Sequence, residues 1–197
     1  MMISNKITDR LVVPRSLLLS AALMVSAGLA QVSSAQEIVS GLAVGAPTQS
    51  VPVLDVTGAY KGQRICYVCE FQDDPNILAF FKDTSDATKQ FILQLNELYA
   101  QNKSGNFKVV ATIVAGPDAS SWLEQLSETE KLEIPLVVFR RGPADVATRL
   151  FEINPEIHNT FLLTQNRFVV ANVAGISPDE FALVADATAS MLASDGL

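Results

Sequence analysis

Apolar positions recur along this chain with two periods, and their alternation outlines a fold. Residues 76–82, Asn-Ile-Leu-Ala-Phe-Phe-Lys, make an apolar run as long as a buried strand. The polar turn Asp83-Thr84-Ser85-Asp86 follows, rich in residues that start helices. Phe91, Leu95 and Leu98 then repeat at i, i+4 and i+7, widened by Ile92 and Tyr99, which predicts an amphipathic helix over about 86–102. Lys103-Ser104-Gly105-Asn106 stops it. Residues 107–115, rich in β-branched side chains, predict a second buried strand. Strand, helix, strand implies a parallel pair with a right-handed crossover.

The remaining pattern extends this sheet. Gly116-Pro117-Asp118 turns the chain, and 119–131 reads as a helix with Trp122, Leu123 and Leu126 inward. Residues 134–139 are a third strand, broken by Arg140-Arg141-Gly142-Pro143, with a helical turn over 145–151. Two apolar runs, 160–164 and 167–173, flank Gln165-Asn166 and predict a β-hairpin with that two-residue connection. Ser177 as N-cap, Pro178 at N1 and Glu180 closing a capping box open a last helix. Upstream, residues 51–56 predict a short edge strand with Pro52 at its start, and 36–50 a lead-in. No internal repeat or second-domain linker is visible.

The amino terminus has a different pattern. Lys6, Arg10 and Arg15 precede the uncharged run 17–29, and Ser33-Ser34-Ala35 offers a small-residue cleavage site before Gln36. The run is shorter than the roughly 20 residues a membrane-spanning helix needs. The expectation is a secretory signal peptide over 1–35, an export to periplasm or medium, and a single α/β domain over 36–197. An uncleaved anchor is the alternative. The 197 residues carry a net charge of −7. Removing 1–35 takes three of the 14 basic residues and one of the 21 acidic ones, so the net charge becomes −9. That argues against nucleic acid and anionic membrane surfaces as partners. Both cysteines, Cys66 and Cys69, fall in the exported part, where a disulfide persists.

The order of elements from Asn76 onward resembles the thioredoxin-like superfamily, especially its peroxiredoxin and TlpA-like branch. Val44-Gly45-Ala46-Pro47, Leu54-Asp55-Val56-Thr57-Gly58 and Lys61-Gly62 look like that branch's entry hairpin. Residues 76–81 look like its first core strand, and 159–163 with 166–170 and Gly175 like its closing hairpin. The resemblance implies a central mixed sheet flanked by helices, over roughly 44–193. It also implies a reactive Cys just after the first core strand, and a cis-proline facing it. Here Asp83-Thr84-Ser85-Asp86 stands in the first place and Asn159 in the second. Thiol chemistry at the usual edge is therefore not expected.

Cys66-Tyr67-Val68-Cys69 is the one chemically suggestive motif. In an extended strand i and i+3 lie roughly 10 Å apart and point to opposite faces, while a disulfide needs Cα atoms within about 7 Å. A C-x-x-C favours a turn that can oxidise, with Tyr67 exposed between the sulfurs. Because the pair precedes the first core strand, it is expected at the opposite pole from the usual site, unless 70–75 doubles back. Three readings stay open for it: an exchanging dithiol with Cys66 attacking and Cys69 resolving, a static brace, and half of a zinc shell completed by His158. No resident cofactor or metal is expected. The leading function is thiol–disulfide exchange with protein thiols. The alternatives are a redox-inactive binding module using the 83–86 edge and Asn159, and a peroxidase with an unusual site.

Overall fold

The computed structural model describes residues 39–194; the signal-peptide expectation for 1–35 lies outside the described residues. Seven strands form one mixed sheet: β1 (Val53–Asp55), β2 (Arg64–Ile65), β3 (Asn76–Phe81), β4 (Lys108–Ile113), β5 (Leu136–Val138), β6 (Asn159–Gln165) and β7 (Phe168–Ala174). Their order across the sheet is β2-β1-β5-β4-β3-β6-β7. β3, β4 and β5 are parallel neighbours, and β6 runs antiparallel to β3. Among the described residues the α-helices are α1 (Tyr67–Phe71), α2 (Asp86–Asn102), α3 (Ser120–Glu130), α4 (Val146–Leu150) and α5 (Ala182–Ser194). This is the central mixed sheet flanked by helices that the resemblance implies.

The pleat of β3 explains the two cores. Ile77, Ala79 and Phe81 point into one apolar cluster with Phe91, Leu95, Leu123 and Val184, which α2, α3 and α5 supply. Leu78 and Phe80 point the other way, into a cluster with Tyr67, Val68, Phe71, Ala147 and Phe151 from α1, α4 and the residue after α4. Period-2 alternation with both faces covered is why 77–81 reads as an unbroken apolar run.

Several boundaries follow the sequence closely. Helix α2 begins at the expected residue because the Ser85 side chain accepts the Thr88 N–H. The Ser177–Glu180 capping box forms, but it caps a 3₁₀ turn that leads into α5. Other expectations need correction. The 51–56 strand is not at an edge: β1 lies between β2 and β5, and β2 is the outer strand. Trp122 is only half-buried and packs on the rim of the core. The hairpin turns one residue later than expected. Gln165 stays paired with Phe168, and Asn166 and Arg167 take the left-handed conformation, φ 51° and 67°, which a two-residue turn of this hand demands. Contacts from outside hold that register: the Asn166 N–H donates to Asp73 O, and Arg167 pairs with Asp73 at 3.5 Å. The 39–50 segment is more than a lead-in, since Gly45, Ala46 and Thr48 hydrogen-bond the start of β7 and the residue before it.

Candidate functional site

The 64–71 stretch divides into two elements at Cys66. Arg64 and Ile65 pair with Leu54 and Val53, and the chain then leaves the sheet into the single-turn helix α1. Cys66 is its N-cap, and the Cys69 N–H donates to Cys66 Sγ at 3.2 Å. The Cα atoms of Cys66 and Cys69 stand 5.2 Å apart and the sulfurs are bonded. Of the two readings, turn or strand, the structure takes the turn. Cys69 is exposed and Cys66 half-buried.

Tyr67 lies elsewhere than expected. It is buried, 7% exposed, with its ring 5.4 Å from Phe71. Its phenol donates to Asp55 Oδ2 at 2.8 Å. Asp55 is fully buried and also accepts the N–H groups of Gly58 at 2.7 Å and Tyr60 at 2.8 Å. A carboxylate with three donors holds both the entry turn and α1 to β1. Burial, and after it the hydrogen bond and negative charge of Asp55, push the Tyr67 phenol far above its ordinary value. Outside this clamp Tyr60 donates to Glu70 Oε2 at 2.6 Å, and that bond raises the Tyr60 phenol as well. Gly58 sits close beneath: a Cβ there would collide with Tyr67 Oη and lie 2.7 Å from Asp55 Oδ2.

Strand register places the pair. Arg64, Leu54, Val138, Ile113, Phe81 and Asn159 form one continuous row across six strands. β2 runs in the same direction as β3, so Cys66 emerges at the pole where β3 ends. The expectation of the opposite pole is corrected. The chain reaches that pole at the flank of the sheet, four strand spacings or about 19 Å from β3. Helix α1 and residues 72–75 then carry it back across the sheet face to the start of β3.

The edge where the resemblance places a reactive cysteine is polar and self-satisfied. Asp83 Oδ1 accepts the Ser85 N–H at 3.0 Å and lies 3.5 Å from Thr88 Oγ1. His158 Nδ1 lies 3.8 Å from Asp83 Oδ2, with both side chains well exposed. Partial burial works to raise the Asp83 carboxyl, but the Ser85 hydrogen bonds, His158 and Thr88 together hold it below the usual range. Asn159 is buried, donates to Ile176 O at 2.8 Å and accepts the Ile176 N–H at 3.2 Å. It ties β6 to the chain before α5 and presents no polar group to a ligand, which removes it from the expected binding surface. His158 precedes β6, five strands from β2, so it cannot complete a shell with the cysteines. Among the described residues no three His, Cys, Asp or Glu side chains converge as a metal site. No helix there is long and apolar enough to cross a membrane.

No protein-family profile and no curated protein matches the sequence. Solved structures do match. A candidate thiol:disulfide interchange protein DsbE from Chlorobium tepidum superposes with a TM-score of 0.62 at 15% identity, over 77% of this chain and 99% of that one. A PrxQ mutant from Xylella fastidiosa gives 0.61 at 13%, over 78% and 99%. Peroxidoxin BcpB from Mycobacterium tuberculosis gives 0.58 at 15%, over 74% and 94%. The chain has the thioredoxin-like fold these structures share, with its cysteine pair on a helix that precedes the first core strand.

Proposed function

We propose that this protein is an exported thiol–disulfide oxidoreductase whose exchanging groups are Cys66 and Cys69. The observation that carries the reading is a closed Cys66–Cys69 bridge in which Cys69 is an exposed residue, on a fold shared with a candidate thiol:disulfide interchange protein. Exposure argues for Cys69 as the sulfur that meets the partner, the reverse of the sequence-based order. A partner thiolate attacks Cys69 Sγ. The Cys66–Cys69 bond breaks, and Cys66 leaves as a thiolate that accepts the Cys69 N–H. A second partner thiolate then attacks the partner sulfur of the mixed disulfide and expels Cys69. The partner dithiol loses two electrons and becomes a disulfide, and the protein becomes a dithiol. The basic, apolar and small-residue order of 1–35 supports export; amino-terminal sequencing of the secreted chain should begin at Gln36.

The burial of Tyr67, Val68 and Phe71 and the Asp55 clamp favour a second reading, a redox-inactive binding module braced by a static bridge. The reduction potential separates the two. An exchanging pair falls between about −270 and −120 mV, and a static brace below about −300 mV. Offered a partner disulfide, Cys66→Ser should leave a reactive Cys69 whose thiolate attacks it, expels one partner sulfur as thiolate and accumulates as the mixed disulfide, seen as a mass increase, whereas Cys69→Ser should trap far less. Equal, slow trapping by both variants would reject exchange.

A further inference from the structure

Beside the pair lies a groove that the exchange chemistry does not use. Pro52, Arg64, Arg140, Arg141, Asp145 and Val146 line it, and its volume is about 270 Å³. Ile65 pairs with Val53, so the next residue, Cys66, leaves the sheet beside Pro52, one wall of the groove. Past Arg141, Asp145 and Val146 it opens onto a broader depression of about 710 Å³ along α4, where Arg149 joins.

The charge here runs against that of the whole chain. Its net charge is −7, yet Arg64, Arg140, Arg141 and Arg149 all stand exposed at this one end. Among the described residues none of these four guanidinium groups lies within ion-pair distance of a carboxylate, whereas Arg167 is paired with Asp73. The carboxylate of Asp145 faces the groove but is turned to backbone: it accepts the N–H groups of Ala147 at 3.1 Å and Arg141 at 3.2 Å. Glu152 is the other acid, at the far end of the depression. Arg140 and Arg141 sit on a rigid turn. Gly142 N–H donates to Phe139 O, and a Cβ on Gly142 would lie 2.8 Å from Ala115 O, so the turn is packed against the chain after β4. Two exposed apolar side chains of α4, Val146 and Leu150, flank the arginines.

We infer that this groove docks an acidic segment of the exchange partner, holding the partner's cysteine against Cys69. The inference rests on the exchange reading for its purpose, and on charge complementarity for its occupant. Unpaired guanidinium groups on a rigid turn offer planar, paired donors to Asp and Glu side chains. Val146 and Leu150 accept an apolar residue among them.

Two arms test it. In the first, a ten-residue fluorescent peptide rich in Asp and Glu, with Ser in place of Cys, is titrated by anisotropy against its Lys-rich counterpart. The acidic peptide should bind at least about tenfold more tightly at low salt, the sum of several exposed charge pairs. The difference should shrink at high salt, and the variant Arg140→Ser/Arg141→Ser should lose it. Equal binding of the two peptides, or a preference that survives the double variant, overturns the inference. In the second arm the same peptides carry Cys, and their reduction of the bridge is timed. A faster acidic peptide supports docking at the pair, and equal rates overturn it. If the thiol-free acidic peptide binds but neither thiol peptide reduces the bridge, the docking surface stands and the exchange reading fails.

Discussion

Replacing Tyr67 by Phe removes one oxygen from the clamp that holds α1 to the sheet. The phenol donates to Asp55 Oδ2 from a buried position, and Asp55 is fully buried. Two backbone N–H groups remain on that carboxylate, so the loss is one charge-assisted hydrogen bond, about 2 kcal/mol. Urea unfolding at pH 7 measures it. With a slope near 2 kcal/mol/M, the midpoint should fall by about 1 M with the slope unchanged. Alkaline pH gives an independent check. The folded phenol is held well above the ordinary value of 10.0, first by burial and then by Asp55. Above pH 10 the unfolded chain therefore loses this proton while the folded chain keeps it. The stabilisation is complete below pH 10 and declines as pH rises, by about 1.4 kcal/mol at pH 11. Tyr67→Phe lacks that term, so the gap between the two proteins should narrow from about 2 to about 0.6 kcal/mol between pH 7 and 11. A gap that stays constant or widens with pH would refute the buried, Asp55-bonded phenol. A loss under about 0.5 kcal/mol at pH 7 would refute the clamp's energetic role.

Other consequences are simpler to read. Gly58→Ala places a methyl group against Tyr67 Oη, Asp55 Oδ2 and Pro135 Cβ, and should cost about 1–3 kcal/mol in a thermal melt; an unchanged melt would show that the turn relaxes freely. Asn159→Ala strands the Ile176 N–H and C=O and should lower stability by about 2 kcal/mol, with faster hydrogen exchange where β6 meets the chain before α5. If the exchange did not change there, the Asn159 tie would be redundant.

The long elements were legible because their residues meet local and global demands together. Residues 77–81 are apolar at every position since both faces of β3 are covered, and Ser85 caps α2 where a polar residue had to stand. The site was less legible. A C-x-x-C states that two sulfurs can meet, but its position depended on β2, a strand of only two residues. Nothing local distinguishes Arg64 and Ile65 from a loop. Pairing with β1, itself three residues long, puts them in the sheet and brings Cys66 to the pole where β3 ends. Tyr67 was misplaced for a related reason: Asp55, which buries it, lies 12 residues away in sequence. The arginine groove was invisible because Arg64 and Arg140 meet only through the β2-β1-β5 row.

The bridge joins residues only three apart, and this sets what it contributes as a crosslink. In the chain-entropy picture, closing a loop of about four residues restrains the unfolded chain by only about 2 kcal/mol, against nearly 5 for a loop of 100. Its two residues also stand close together in the unfolded chain, so the bond needs no tertiary structure to form. Opening it leaves α1 anchored by Tyr67, Val68 and Phe71 and withdraws about 2 kcal/mol, less than half of what a bridge over a long loop would. The contacts that hold α1 to the sheet, the Tyr67–Asp55 hydrogen bond and the apolar cluster around Val68 and Phe71, do not run through the sulfurs.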